Sequence, residues 1–218
     1  AIVPVSMTRS LAPAPVSSTK LSFSLLYKRS HSAFAASLAS GFVIGSFWSL
    51  GALYALQISG EQRFVPLFVS AVIVGGALFQ YPIGFLSDRY DRQMVLAGLC
   101  ATTVISAILL TVFDSLVWLL GIGFVFGGLS NTLYPVALAK ATDSSNSSEF
   151  VTIASSVLLQ QNIGAAAAPL LIGLLMRSVG DSGLFLGIAG AAVLASIYIV
   201  LQPRGKTAVS VDEQAPFV

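Results

Sequence analysis

Apolar residues run through this chain in long unbroken stretches, and short loops between them gather most of the charge. Six stretches stand out: Ala33–Gln57, Phe64–Leu86, Met94–Phe113, Leu116–Ala139, Val151–Met176 and Gly183–Leu201. None contains Asp, Glu, Lys or Arg. Each supplies about the 20 residues that cross a hydrocarbon layer as a helix rising ~1.5 Å per residue. A transmembrane β-barrel would instead alternate apolar and polar positions in short segments, and these runs are continuous. The pattern predicts an all-α membrane protein with six transmembrane helices.

Composition sharpens that reading. Of 218 residues, 56% are apolar and 9% charged, against about 25% charged in an ordinary soluble domain. The mean hydropathy of +0.87 points the same way, so a soluble enzyme is a poor first choice. A net charge of +2 with no long basic run gives no footing for a nucleic-acid partner. The single cysteine, Cys100, cannot form an internal disulfide and suits apolar packing. The single histidine, His31, cannot build a metal site alone. No cofactor is expected.

The basic residues also set an orientation. With the N-terminus inside, the inner segments hold Arg9, Lys20, Lys28, Arg29, Arg89, Arg92, Lys140, Arg204 and Lys206, and the outer ones hold only Arg63 and Arg177. The positive-inside rule then places both termini in the cytoplasm. Residues 1–30 are expected to form a cytoplasmic linker. Within it, Ala1–Val5 resembles the tail of an apolar segment, Ser6–Thr19 is rich in Ser, Pro and Thr, and Leu21–Arg29 suits a short interfacial helix. Residues 31–202 hold the six helices, and residues 203–218 are expected to be a disordered cytoplasmic tail.

The loop between the second and third spans carries the sharpest local signal. Gly84 allows close helix approach. Asp88 is placed to accept orphan N–H groups at the next helix N-terminus, and Arg89 and Arg92 beside it can pair with carboxylates or lipid phosphates. This loop resembles the cytoplasmic signature G-x-x-x-D-R-x-G-R-R/K of the major facilitator superfamily. Gly84, Asp88, Arg89 and Arg92 match, whereas Asp91 replaces the usual glycine and Gln93 the last basic residue. The stretches Leu133–Asp143 and Glu149–Ser156, and Gly164–Pro169 with Ala168 in place of a second glycine, are similar to the C-terminal half of the bacterial YcaD-like branch. The resemblance extends from Val3 to about Met176.

It implies two three-helix inverted repeats forming half of a twelve-helix fold, with the N-terminal six-helix half as partner. It also implies that the first, second, fourth and fifth spans face a central pathway, while the third and sixth face lipid. The loop residues would then act in conformational gating. The implied function is secondary transport of a small solute across the bacterial inner membrane; the alternative is a non-transporting scaffold or sensor on the same fold. No HExxH, GxSxG or P-loop pattern supports an enzyme or an ATP-driven pump.

Polar groups within the spans are the candidates for meeting solute, because an amide in hydrocarbon must find a partner. Gly127, Asn131, Tyr134 and Leu138 recur on one helical face, so Asn131 and Tyr134 can face either a solute or another helix. Pro135 weakens the backbone ladder there. Gln161 shares a stripe with Gly164 and Ala168, which leaves Gln160 or Asn162 to face the pathway. Gln80 and Trp48 complete the candidates, and Tyr54 is expected to anchor the outer interface. The pairs Gly41/Gly45, Gly123/Gly127 and Gly183/Gly187 are expected to pack helices.

Overall fold

The computed structural model describes residues 22–143, 145 and 149–203. The expected linker up to Leu21 and the tail from Arg204 lie outside the described residues. A short helix, α1 (Phe23–Arg29), precedes six long ones: α2 (His31–Ser59), α3 (Phe64–Arg89), α4 (Arg92–Val112), α5 (Leu116–Asp143), α6 (Phe150–Val179) and α7 (Gly183–Leu201). All six are long and apolar enough to cross a membrane.

Local chemistry sets several helix ends. The Ser22 hydroxyl accepts from the Leu25 N–H and that of Ser30 from the Ala33 N–H, each at 3.2 Å, satisfying donors that a first turn leaves open. Helix α2 stops at Gly60, whose φ of 65° is the left-handed conformation glycine adopts without a Cβ clash. The cap of α4 corrects the sequence reading: Asp91, not Asp88, caps it, accepting from the Gln93 N–H at 2.9 Å. Asp88 belongs to the last turn of α3. Pro82, Pro135 and Pro169 all lie inside continuous helices, as membrane helices tolerate when their neighbours support the freed carbonyls.

The packing shows the two repeats. The most extensive helix contacts are α3 with α5, α2 with α6, and α4 with α7. Exchanging α2–α4 with α5–α7 turns the first pair into the second and leaves the third unchanged. Glycine makes the two crossings close. A Cβ on Gly41 would lie 1.9 Å from the Gln161 carbonyl oxygen of α6, and one on Gly127 would lie 2.1 Å from that of Val72 on α3. Backbones can meet at such distances only where no side chain intervenes. The Gly183/Gly187 pair packs α7 on Met176 and Ile172 of α6.

An aromatic core of Phe47, Phe68, Phe126 and Phe185 joins α2, α3, α5 and α7. Tyr54 belongs to this core rather than to an outer interface: it is 1% exposed, and its hydroxyl donates to the Leu110 carbonyl of α4. A buried phenol needs such an acceptor. Cys100 is fully buried where α4 meets α7.

Candidate functional site

The ends of three helices meet around one buried guanidinium. Arg92, in the first turn of α4, is 2% exposed and pairs with Asp88 of α3 at 2.9 Å and with Asp143 at the end of α5. Lys140, one turn before Asp143, lies 3.5 Å from Asp91. Gln93 then ties the start of α4 to the far end of α7, donating to the carbonyls of Ile199 at 2.9 Å and Gln202 at 3.1 Å. The loop's ends thus hold α3, α4, α5 and α7 together through charge-assisted and amide hydrogen bonds. Arg89, by contrast, lies over the Phe85 ring with 4.3 Å to its centroid. Gly84 is buried.

A second tie sits nearby in sequence. Arg29 of α1 pairs with Glu149, just before α6, at 2.9 Å. The Ser22 N–H donates to the Ser156 hydroxyl of α6 at 3.1 Å. Leu26 of α1 is buried with Ala33, Ala141, Ile153 and Val157, so α1 covers the same end of α2, α5 and α6.

The polar span residues divide between helix contacts and exposed faces. Gln160 is 3% exposed and donates across to the Phe34 carbonyl of α2 at 2.8 Å. Its carbonyl oxygen is buried without a partner. Tyr134 and Phe34 both pack against the cluster of Leu26, Ala33, Ala141, Ile153 and Val157. Asn131 donates to its own helix at the Gly127 carbonyl, 2.8 Å away, and its amide fills the space at Gly76 of α3. Asn162 is exposed and donates within α6 to Leu158 at 2.8 Å. Trp48 on α2 and Gln80 on α3 are exposed as well. Gln160 and Asn162 therefore take opposite roles, one holding α2 to α6 and the other left on the surface.

The partners of the loop were not evident from the sequence. Asp143 lies 51 positions from Arg92, and Glu149 lies 120 from Arg29. No periodicity links residues that far apart. The one available signal was that a membrane helix ends on Lys140 and Asp143, where an uncompensated charge near hydrocarbon is costly.

These features define a class: a polytopic helical membrane protein built from two exchanged three-helix units, with a charged latch at one end. The major facilitator superfamily model matches residues 30–217, and the chain belongs to that family. It is 29% identical over 166 residues to an uncharacterised MFS-type transporter of Yersinia enterocolitica, covering 76% of this chain and 43% of the relative. It is 32% identical over 171 residues to one from Enterobacter sp. strain 638, covering 77% and 42%. To the MFS-type transporter YcaD of Salmonella arizonae it is 26% identical over 190 residues, covering 87% and 49%. The chain thus spans less than half the length of these curated relatives.

Proposed function

We propose that the chain is the C-terminal half of a secondary transporter, moving a small solute by alternating access against a second six-helix half. The observation that carries this reading is the buried Arg92 latch between Asp88 and Asp143, set in a bundle whose span interiors hold no Asp, Glu, Lys, Arg or His. A latch of this kind stabilises one arrangement of the helix ends. A conformational equilibrium then shifts with a few kcal/mol of differential contact.

In the same reading both termini and the α3–α4 loop lie on the cytoplasmic face of the bacterial inner membrane, as the distribution of Lys and Arg implies. Helices α2, α3, α5 and α6 face the pathway. Trp48, Gln80 and Asn162 reach solute from exposed faces, and Asn131 and Tyr134 do so from half-buried ones. Gln160 takes part when the α2–α6 contact loosens.

The test uses vesicles carrying this chain together with a co-expressed N-terminal six-helix half from the Yersinia relative. They are exposed to pooled sugars, amino acids and organic acids, and the contents are read by mass spectrometry. Accumulation that requires both halves and falls in Asp88→Asn, with protein levels unchanged, is expected. An assembled pair that accumulates nothing, or accumulates equally with Asp88→Asn, would overturn the reading in favour of a scaffold or sensor.

A further inference from the structure

Helices α3 and α4 diverge from their common loop and leave a cleft of about 730 Å³ floored by α5. Its walls include Phe79, Leu86, Tyr90, Met94, Gly98 and Thr102. On α4 the lining runs from Met94 to Thr102, about 12 Å along the helix axis. That depth is close to one leaflet, half of a ~30 Å hydrocarbon layer. A second cleft of about 490 Å³ shares Thr102 and Leu129 with the first and continues to Trp118. The groove therefore follows α4 across most of the membrane.

Its chemistry is one-sided. Inside, the walls are apolar side chains, with the Thr102 hydroxyl turned back to the Gly98 carbonyl of its own helix at 2.8 Å. A non-helical peptide strand seated there would leave its N–H and C=O groups without partners, at a cost of several kcal/mol each. A hydrocarbon chain has no such groups. At the mouth the chemistry changes. Tyr90 is 60% exposed. Arg89 lies seven residues beyond the groove residue Pro82, two turns further along nearly the same stripe of α3. Asp88 and Asp143 are engaged by Arg92, and Asp91 by Lys140, so among the described residues Arg89 is paired with no carboxylate. Its guanidinium stacks on Phe85 with its N–H groups left for another acceptor.

We propose that the α3–α4 cleft seats one acyl chain of a membrane phospholipid whose phosphate is held by Arg89. The wall supplies dispersion contact along a single leaflet, and the guanidinium supplies paired donors to the phosphodiester. This site is distinct from the Arg92 latch and from the polar residues of the spans, and it does not depend on the transport reading.

Gly98 provides a clean test, because a Cβ added there meets nothing within 4 Å. Gly98→Phe therefore adds its Cβ without a clash and places a ring at the cleft wall. Gly190 on α7 is equally open and is not a cleft residue, so Gly190→Phe is the matched control. The full chain is extracted from phosphatidylglycerol and from phosphatidylethanolamine vesicles, and retained lipid is read by native mass spectrometry. One phospholipid per chain is expected on the wild type and on Gly190→Phe, with Gly98→Phe largely stripped. Arg89→Gln should lower the retained fraction about five-fold, the ratio one basic residue near a lipid surface supplies, and Arg89→Lys should restore part of it. Excess inorganic phosphate should leave the adduct in place, since the acyl chain anchors it. The proposal is overturned by a wild type that retains no lipid, or by Gly98→Phe retaining as much as Gly190→Phe. It is also overturned if Gly98→Cys on a Cys100→Ser background crosslinks into dimers in place of lipid.

Discussion

The α3–α5 crossing permits a sharp test of how closely these backbones meet. A Cβ on Gly75 would stand 1.8 Å from the Phe124 carbonyl oxygen and 2.7 Å from its carbon. Ordinary contact begins at 3.4 Å, so Gly75→Ala must part the two helices by about 1.5 Å, and no rotamer relieves a clash between backbones. A gap of 0.5–1 Å already forfeits about a quarter to a half of each dispersion contact. The neighbouring contacts of Gly127 with Val72, Gly76 with Asn131 and Gly128 with Phe79 therefore weaken together. Overpacking a rigid core costs about 1–3 kcal/mol and occasionally more; with backbone on both sides we expect about 3 kcal/mol. Better helix propensity returns at most about 1 kcal/mol.

The lone, fully buried Cys100 makes the assay direct, since a fluorogenic thiol reagent reacts as heating unfolds the bundle. At about 2–4 °C per kcal/mol for a chain of this size, Gly75→Ala should lower the midpoint by about 6–12 °C. Gly190→Ala, in open space, should leave it within about 2 °C. Equal midpoints for the two variants would refute the close crossing.

Three further outcomes are expected. Arg92→Gln should cost about 2–4 kcal/mol, since it leaves two carboxylates facing each other but Asp88 is partly solvated; adding Asp143→Asn should recover much of the loss in the same thermal assay. A cysteine at Tyr90 on a Cys100-free background should resist impermeant external reagents in intact cells, and its labelling would reverse the proposed orientation. The chain alone in vesicles should show no proton-driven solute uptake, because its span interiors carry no ionisable Asp, Glu, Lys, Arg or His; uptake that collapses with an uncoupler would refute this.

The sequence resolved the helices better than the contacts between them. Helix α7 begins and ends where the apolar run does, at Gly183 and Leu201. The other spans run past the uncharged stretches: α5 continues from Ala139 to Asp143, and α4 opens at Arg92 rather than Met94. A reading based on the absence of charge stops where a helix leaves hydrocarbon, while backbone hydrogen bonding continues into the interface. The glycine pairs were legible because small residues at four-residue spacing mark a packing face. The roles of Gln160 and Tyr54 were not. Both depend on which carbonyl of another helix lies opposite, at Phe34 and at Leu110, and a one-dimensional pattern holds no such information.

The unequal helix lengths have a consequence for the surrounding bilayer. Helix α7 has 19 residues and α6 has 30, corresponding to rises of about 28 Å and about 45 Å. In a layer ~30 Å thick, α7 matches the hydrocarbon when nearly upright. For α6 to fit entirely it would have to lean by about 48°, beyond the ~40° limit of observed tilts. Part of α6 therefore projects into water or headgroups, and the short helices α4, with 21 residues, and α7 gauge the thickness. Thickening the membrane by a few ångströms would stretch the match at α4 and α7 while α6 simply drew in its surplus. Each repeat would then be strained at its third helix, so lipid chain length itself would act on how α4 and α7 sit against their longer neighbours.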